Sequence, residues 1–239
     1  TEKPDLLGQL RPANRATVGA VQSVVTCPLQ VDTADYDLLL LRYALVEQQP
    51  NHGPAYNPKF LYSINDDRGN LISSCYYSNF VSGDTSEWNH YTPLNESIVI
   101  DWKDWTAVGI DLDPFHGQTI QVNLSNYDCW PGGHYGYAYF VLDGTTKHLN
   151  SETCGDASVS KFRAPEGFRY HWYPEGHPED TLSAADTLEV VAEGNYCCRV
   201  SYLTDSSCGF TMHTYAGPRY PHAAFAAACD DSCRMVVHF

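Results

Sequence analysis

The chain has 239 residues with 29 acidic against 14 basic side chains, a formal charge of −15. That balance argues against nucleic acid or an anionic membrane face as partner, because both call for a basic patch. No apolar run approaches the ~20 residues of a membrane-spanning helix, and the length suits one large β-domain or two smaller ones. Aromatics at 13%, with 17 Tyr, join Thr, Val and Ile runs and an almost complete lack of helical periodicity to predict an all-β fold. The only helical candidates are residues 183–186 and 223–228.

Residues 1–20 carry two prolines and few periodic apolar residues, and are expected to be an extended lead-in. Their start, Thr-Glu-Lys-Pro-Asp, lacks the basic-then-apolar pattern of a signal peptide. The first firm strand is residues 37–47, whose mostly apolar run suits a central position; three prolines and a glycine within residues 49–58 break it. Residues 60–65 and 70–74 read as two strands joined at Asp66-Asp67-Arg68-Gly69, a tight-turn sequence. A polar loop follows over residues 82–95, and strands are expected over 98–105 and 106–112. Trp102 and Trp105, at strand spacing with Ile98 and Ile100, are assigned to the core.

The most distinctive stretch runs from Asn126 to Phe140. Before it, Ile120, Val122 and Leu124 alternate with Gln121, Asn123 and Ser125, a strand with one buried face. After the glycine turn, Tyr135, Tyr137 and Tyr139 fall on one side of a pleat and Gly136 and Ala138 on the other. Strands at roughly 8–12-residue intervals with turn signals between them predict a jelly-roll-like sandwich over residues 1–148. Composition then shifts. Residues 149–220 are the size of a small immunoglobulin-like sandwich, with Trp172 as inner aromatic and a Tyr placed two positions before Cys198. Residues 221–239 read as a linker and the opening strand of a following module.

Nine cysteines (Cys27, Cys75, Cys129, Cys154, Cys197, Cys198, Cys208, Cys229 and Cys233) are scattered without zinc-site spacing, which predicts disulfides in an oxidising compartment with at least one thiol left over. Cys198 and Cys208 flank an expected hairpin, and a cross-strand disulfide is assigned to them.

Several ordered segments, Leu40 to Val46, Asn57 to Phe60, Trp105 to Leu112, Gly117 to Ile120, Asp128-Cys129, Gly132 to Tyr139, Ala164 to Trp172 and Gly194 to Val200, together resemble a family of large multi-module surface proteins of the Bacteroidetes phylum. The resemblance implies chains of jelly-roll, immunoglobulin-like and polycystic-kidney-disease-type repeats, associated with adhesion, gliding or glycan capture. It further implies a non-catalytic first domain similar to carbohydrate-binding jelly rolls, further modules of the same parent chain, and a bacterial, extracellular, cell-surface location.

Four kinds of chemistry are open to these residues. A thiol hydrolase would bring Cys129, His134 and Asp128 together, yet Cys129 lacks the helix-start or elbow setting that lowers a thiol pKa. Carboxylate pairs such as Asp101 with Asp104 are common on solvated turns and do not by themselves make a glycosidase. No cofactor is required; a structural Ca²⁺ could use Asp111, Asp113 and Asp143 as oxygen ligands. Saccharide binding calls for aromatic rings beside orienting polar groups, and Trp88, Tyr91, Trp130, His134 and Tyr135 lie in or near loops where they could provide it. The expectation is therefore a non-catalytic adhesin or glycan-binding module, with a glycan or a host or cell-surface protein as partner. The alternatives are a carbohydrate-active enzyme, a cysteine peptidase domain or a pure structural spacer.

Overall fold

The computed structural model describes residues 6–10, 22–50, 52–53, 55–83, 88–94, 98–153, 158–217, 226–229 and 235–238; of 6–10, 22, 226–229 and 235–238 it describes the backbone. The fold is all-β. Among the described residues, nine strands precede residue 148: β1 (Leu6–Leu10), β2 (Gln22–Gln30), β3 (Leu38–Gln49), β4 (Lys59–Asp66), β5 (Tyr77–Val81), β6 (Asn89–Tyr91), β7 (Val99–Asp111), β8 (Thr119–Tyr127) and β9 (Gly136–Thr145). They form two antiparallel sheets, β1-β9-β3-β7-β6 and β2-β8-β4-β5. With the short edge strand β6 set aside, each sheet has four strands and the chain crosses repeatedly between them in the order of a jelly roll. Residues 6–10, expected as part of a lead-in, are instead an edge strand paired with β9 from Leu6↔Leu142 to Leu10↔Ala138.

The period-two reading of β8 holds: Ile120, Val122 and Leu124 are buried between the sheets. They pack in a core where the Tyr43 ring lies 5.6 Å from each of Phe60, Tyr62 and Phe80. Burial of each such large side chain is worth roughly 1.5–3 kcal/mol. Leu38 to Leu41 are buried on both faces, as their unbroken apolar run anticipates. In the predicted turn, the Asp66 carboxylate accepts from the amides of Arg68 and Asn70, and Gly69 takes φ +86°, which only glycine adopts cheaply.

The second unit is built, among the described residues, from β10 (Ser160–Arg163), β11 (Phe168–Pro174), β12 (Thr187–Val190), β13 (Gly194–Tyr202) and β14 (Gly209–Ala216). They make a two-stranded sheet β10-β12 and a three-stranded sheet β11-β13-β14. Trp172 is fully buried and its Nε1 donates to Ala185 O at 2.9 Å. The Tyr196 hydroxyl, two residues before Cys198, donates to Ala192 O at 2.9 Å, the tyrosine-corner arrangement of immunoglobulin-type sandwiches. Residues 183–186 are not helical; Ser183 O accepts from Trp172 N and extends the edge of β11. The alanine-rich tail also departs from the helical expectation: Ala226–Cys229 (β15) pairs with Met235–His238 (β16) as an antiparallel hairpin. Among the described residues no helix is long and apolar enough to cross a membrane.

The two sandwiches share a packed boundary. Phe210 lies against Gly109, the Tyr202 hydroxyl donates to Gly109 O at 2.6 Å, and Leu149 N and His213 N exchange hydrogen bonds with His213 O and Lys147 O. A disulfide joins Cys75 to Cys208 across it, with Cα atoms 5.4 Å apart. This overturns the expected Cys198–Cys208 bridge, and the reason is register. Cys198 sits opposite Met212 in the β13–β14 ladder, whereas Cys208 lies at the turn, its carbonyl accepting from Tyr202 N. Cys198 is a free, fully buried thiol beside Trp172, and that burial pushes its pKa up to about 12.

Candidate functional site

The outer face of the first sheet is partly covered by the second sandwich and partly open. Ala107 and Gly109 lie under the boundary, beside Gly167 and Phe210 respectively. Farther along the same strands the face stays open and aromatic. A bulge between Tyr43 and Leu45 on one side and Lys103 and Thr106 on the other sets Asp104 and Trp105 against the single residue Ala44. Such an extra residue resets the facing of a strand, so Trp102 and Trp105, three positions apart, both turn outward. Trp105 is 52% exposed, which corrects the core assignment of both tryptophans.

Register supplies the rest of this surface. Val46 lies between Trp102 on β7 and Tyr137 on β9, and Ala44 pairs with the exposed Tyr139. Tyr135 packs against Tyr137, with ring centroids 4.9 Å apart and the rings tilted by 49°. Tyr91, exposed on β6, pairs with Ile100 at the far edge. Small side chains between large rings leave the rings as the raised features. Where the open face meets the second sandwich, a cleft of about 380 Å³ is lined by Arg42, Trp105, Thr106, Ala107, Val141, Glu166 and Gly167. One cation, one carboxylate and an indole therefore border one concavity.

Around the end of the sandwich the core turns polar. Leu41, Tyr43 and Leu45 share one inward face of β3, and Glu47 is next in that series, completely buried. It pairs with Gly136 on one side and Asp101 on the other, and His90 follows Asp101. Asp101 accepts from His90 Nδ1 at 2.7 Å and from Gly83 N at 2.6 Å. Among the described residues, Glu47 Oε1 and Oε2, Asn57 Oδ1 and Asn126 Oδ1 are buried without hydrogen-bond partners. Burial, then repulsion from Asp101 and more weakly from Asp128, holds the Glu47 carboxyl well above the usual carboxylate range. Asp128, which accepts from Gly136 N, is raised by burial to about 6.

Above this floor the turn from Cys129 to His134 closes on itself. Cys129 N donates to His134 O, Gly132 N donates to Cys129 O, and Gly132 and Gly133 take φ +81° and +92°. Cys129 Sγ lies 3.3 Å from His134 Nδ1, with the thiol fully buried. Trp130 N donates to Tyr56 O, which ties the preceding loop to this turn and sets His52 5.1 Å from His134, ring edge to face.

The predicted binding residues therefore separate. Tyr91 and Tyr135 border the open aromatic face; Trp130, 62% exposed, and His134 belong to the loop end. Trp88 leaves the set: it is 6% exposed, packs edge-on against Phe80, and donates Nε1 to Val81 O. The predicted metal ligands meet a different cation. Lys147 Nζ sits 2.7 Å from Asp111 and 2.6 Å from Asp113, so an ammonium stands where Ca²⁺ would bridge them. Asp143 is opposite Leu40 on β9 and does not join that pair. Trp102, Trp105, Glu47 and His52 were missed, the first two because sequence does not announce a bulge.

No protein-family model and no curated protein matches the chain. Among solved structures, the glycoside hydrolase domain of Endo-D from Streptococcus pneumoniae R6 aligns with 87% of this chain and 32% of its own length, at 13% identity and a TM-score of 0.26. The chain thus spans about a third of that structure.

Proposed function

We propose that this is a non-catalytic saccharide-binding module whose platform is the open outer face of the first sheet. The observation that carries the reading is the run of outward aromatic rings, Tyr135, Tyr137, Tyr139, Trp102 and Trp105, bordered by Arg42 and Glu166 at the cleft. Pyranose rings present apolar CH faces that stack on such side chains, while charged groups at the border fix the hydroxyls. The disulfide supports export to an oxidising compartment. An adhesin-type role on a bacterial cell surface, as one module of a larger Bacteroidetes-type chain, accords with the motif resemblance and with this face.

Glycan-array binding of the intact chain, repeated for Trp102→Ala, Trp105→Ala and Tyr139→Ala, tests the reading. Each substitution is expected to weaken binding about tenfold, as loss of a ~1.4 kcal/mol contact would, with little change in melting temperature. A broad array on which the intact protein binds nothing overturns it. The Cys129–His134 contact favours a second reading as a cysteine hydrolase, but the completely buried thiol offers a substrate carbonyl no approach.

A further inference from the structure

We infer that His52, Cys129 and His134 form a transition-metal site, with Zn²⁺ the best-matched ion. The sulfur and one ring nitrogen from each histidine lie within 4.8 Å of one another. A tetrahedral zinc with Zn–S near ~2.3 Å and Zn–N near ~2.0–2.1 Å requires a sulfur-to-nitrogen edge of about 3.5 Å. The Cys129 Sγ to His134 Nδ1 distance is 3.3 Å, so two ligands already stand close to their coordinated separation. His52 closes the third corner from a separate loop, held by the Trp130 N to Tyr56 O bond.

Three further observations point the same way. Cys129 is fully buried yet unpaired in a chain that forms a disulfide elsewhere, and a thiolate ligand is one use for such a sulfur. Among the described residues, the His134 imidazole has no hydrogen-bond partner besides that sulfur. The turn geometry is also specified locally, by two left-handed glycines and two main-chain bonds between residues 129 and 134. Imidazole and thiolate ligands suit Zn²⁺ rather than the hard cations that oxygen cages hold. On binding, the Cys129 thiol loses its proton to solvent, a sulfur–zinc bond replaces the S–H bond, and both imidazoles donate as neutral rings. Three protein ligands leave the fourth tetrahedral position to water or an external donor.

Stripping the full chain with chelator and titrating it with Co²⁺ tests the site, because thiolate-bound Co²⁺ gives a sulfur-to-metal charge-transfer absorption that histidine and carboxylate sites lack. The expected result is a single equivalent with that band, displaced by Zn²⁺. The band should vanish in Cys129→Ser, and Co²⁺ affinity should fall tenfold or more in His52→Ala, a change on an exposed residue that does not threaten folding. It should persist in Cys197→Ser, which removes the sulfur of the other Cys-and-His grouping, Glu175, Cys197 and His213. Absence of the band, its survival in Cys129→Ser, or its loss in Cys197→Ser overturns the assignment. The readout is spectroscopic and involves no saccharide, so its failure and that of the glycan reading are separable.

Discussion

Phe210 of β14 fills the space that a side chain at Gly109 of β7 would need. An ideal Cβ there would lie 2.7 Å from the ring's Cδ1 and 2.9 Å from its Cζ, both inside any real carbon contact. The glycine is present for room, since its φ lies outside the left-handed region. Gly109→Ala should destabilise the protein by about 1–3 kcal/mol, the cost of overpacking a filled interior. On a Phe210→Ala background the same change should cost much less. A double-mutant cycle of denaturant melts checks this, and equal costs on both backgrounds would refute the contact.

Peptide mapping without reduction should recover Cys75 linked to Cys208, and Cys198 as a free thiol. The bridge closes a loop spanning 133 positions; in the chain-entropy account such closure is worth roughly 5 kcal/mol at most. Cys75→Ser with Cys208→Ser should therefore lower the melting temperature markedly. A midpoint unchanged within error would show that the bond contributes little.

Glu47 ties stability to pH. Its carboxyl is raised by burial and by Asp101, so the folded chain holds a proton that the unfolded chain has already released. Protonation therefore favours folding, and this contribution is complete below the unfolded pKa and lost as pH climbs through the folded value. Glu47→Gln should flatten the decline of the midpoint as pH rises above the ordinary carboxylate range. It should also stabilise at neutral pH by about 1 kcal/mol, or ~2–4 °C for a domain this size. An amide at this position could donate to the unpartnered Asn126 Oδ1, which flanks Gly136 together with the Glu47 side chain. A steeper slope in the variant would contradict the burial argument.

Lys147 anchors the boundary between the sandwiches. Burial pulls its pKa down, but hydrogen bonds and attraction from Asp111 and Asp113 outweigh that and raise it. Lys147→Met leaves those two carboxylates facing each other and should cost about 1–2 kcal/mol, toward the low end because Asp113 is largely exposed. The loss should shrink as pH approaches the lysine's own titration range. Urea melts at neutral and alkaline pH measure both effects; a constant cost across that range would exclude the ion pairs as its source.

Local pattern made much of this architecture legible. Alternation in residues 120–124 placed the inner face of β8, the Asp66 to Gly69 sequence placed its turn, and Tyr196 before Cys198 placed the tyrosine corner. Each depends on neighbours in sequence. What escaped depends on distant partners. The bulge that turns Trp105 outward exists only in the pairing of β3 with β7, and the partner of Cys208 is fixed by how one sandwich docks on the other. Glu47 could have been found, because it continues the inward series Leu41, Tyr43 and Leu45. His52 could not, since its neighbours at the loop end come from a turn much later in the chain.

The covalent link at the boundary also sets how the molecule answers tension. Force applied at the two ends passes through Cys75 and Cys208, so the residues between them carry no load while the bond is intact. At roughly 3.3–3.6 Å per extended residue, the 133-position separation hides about 450 Å of contour length. Strands β5 to β13 would stay shielded from pulling until the bond is reduced, leaving β1 to β4 on one side and β14 onward on the other to lengthen.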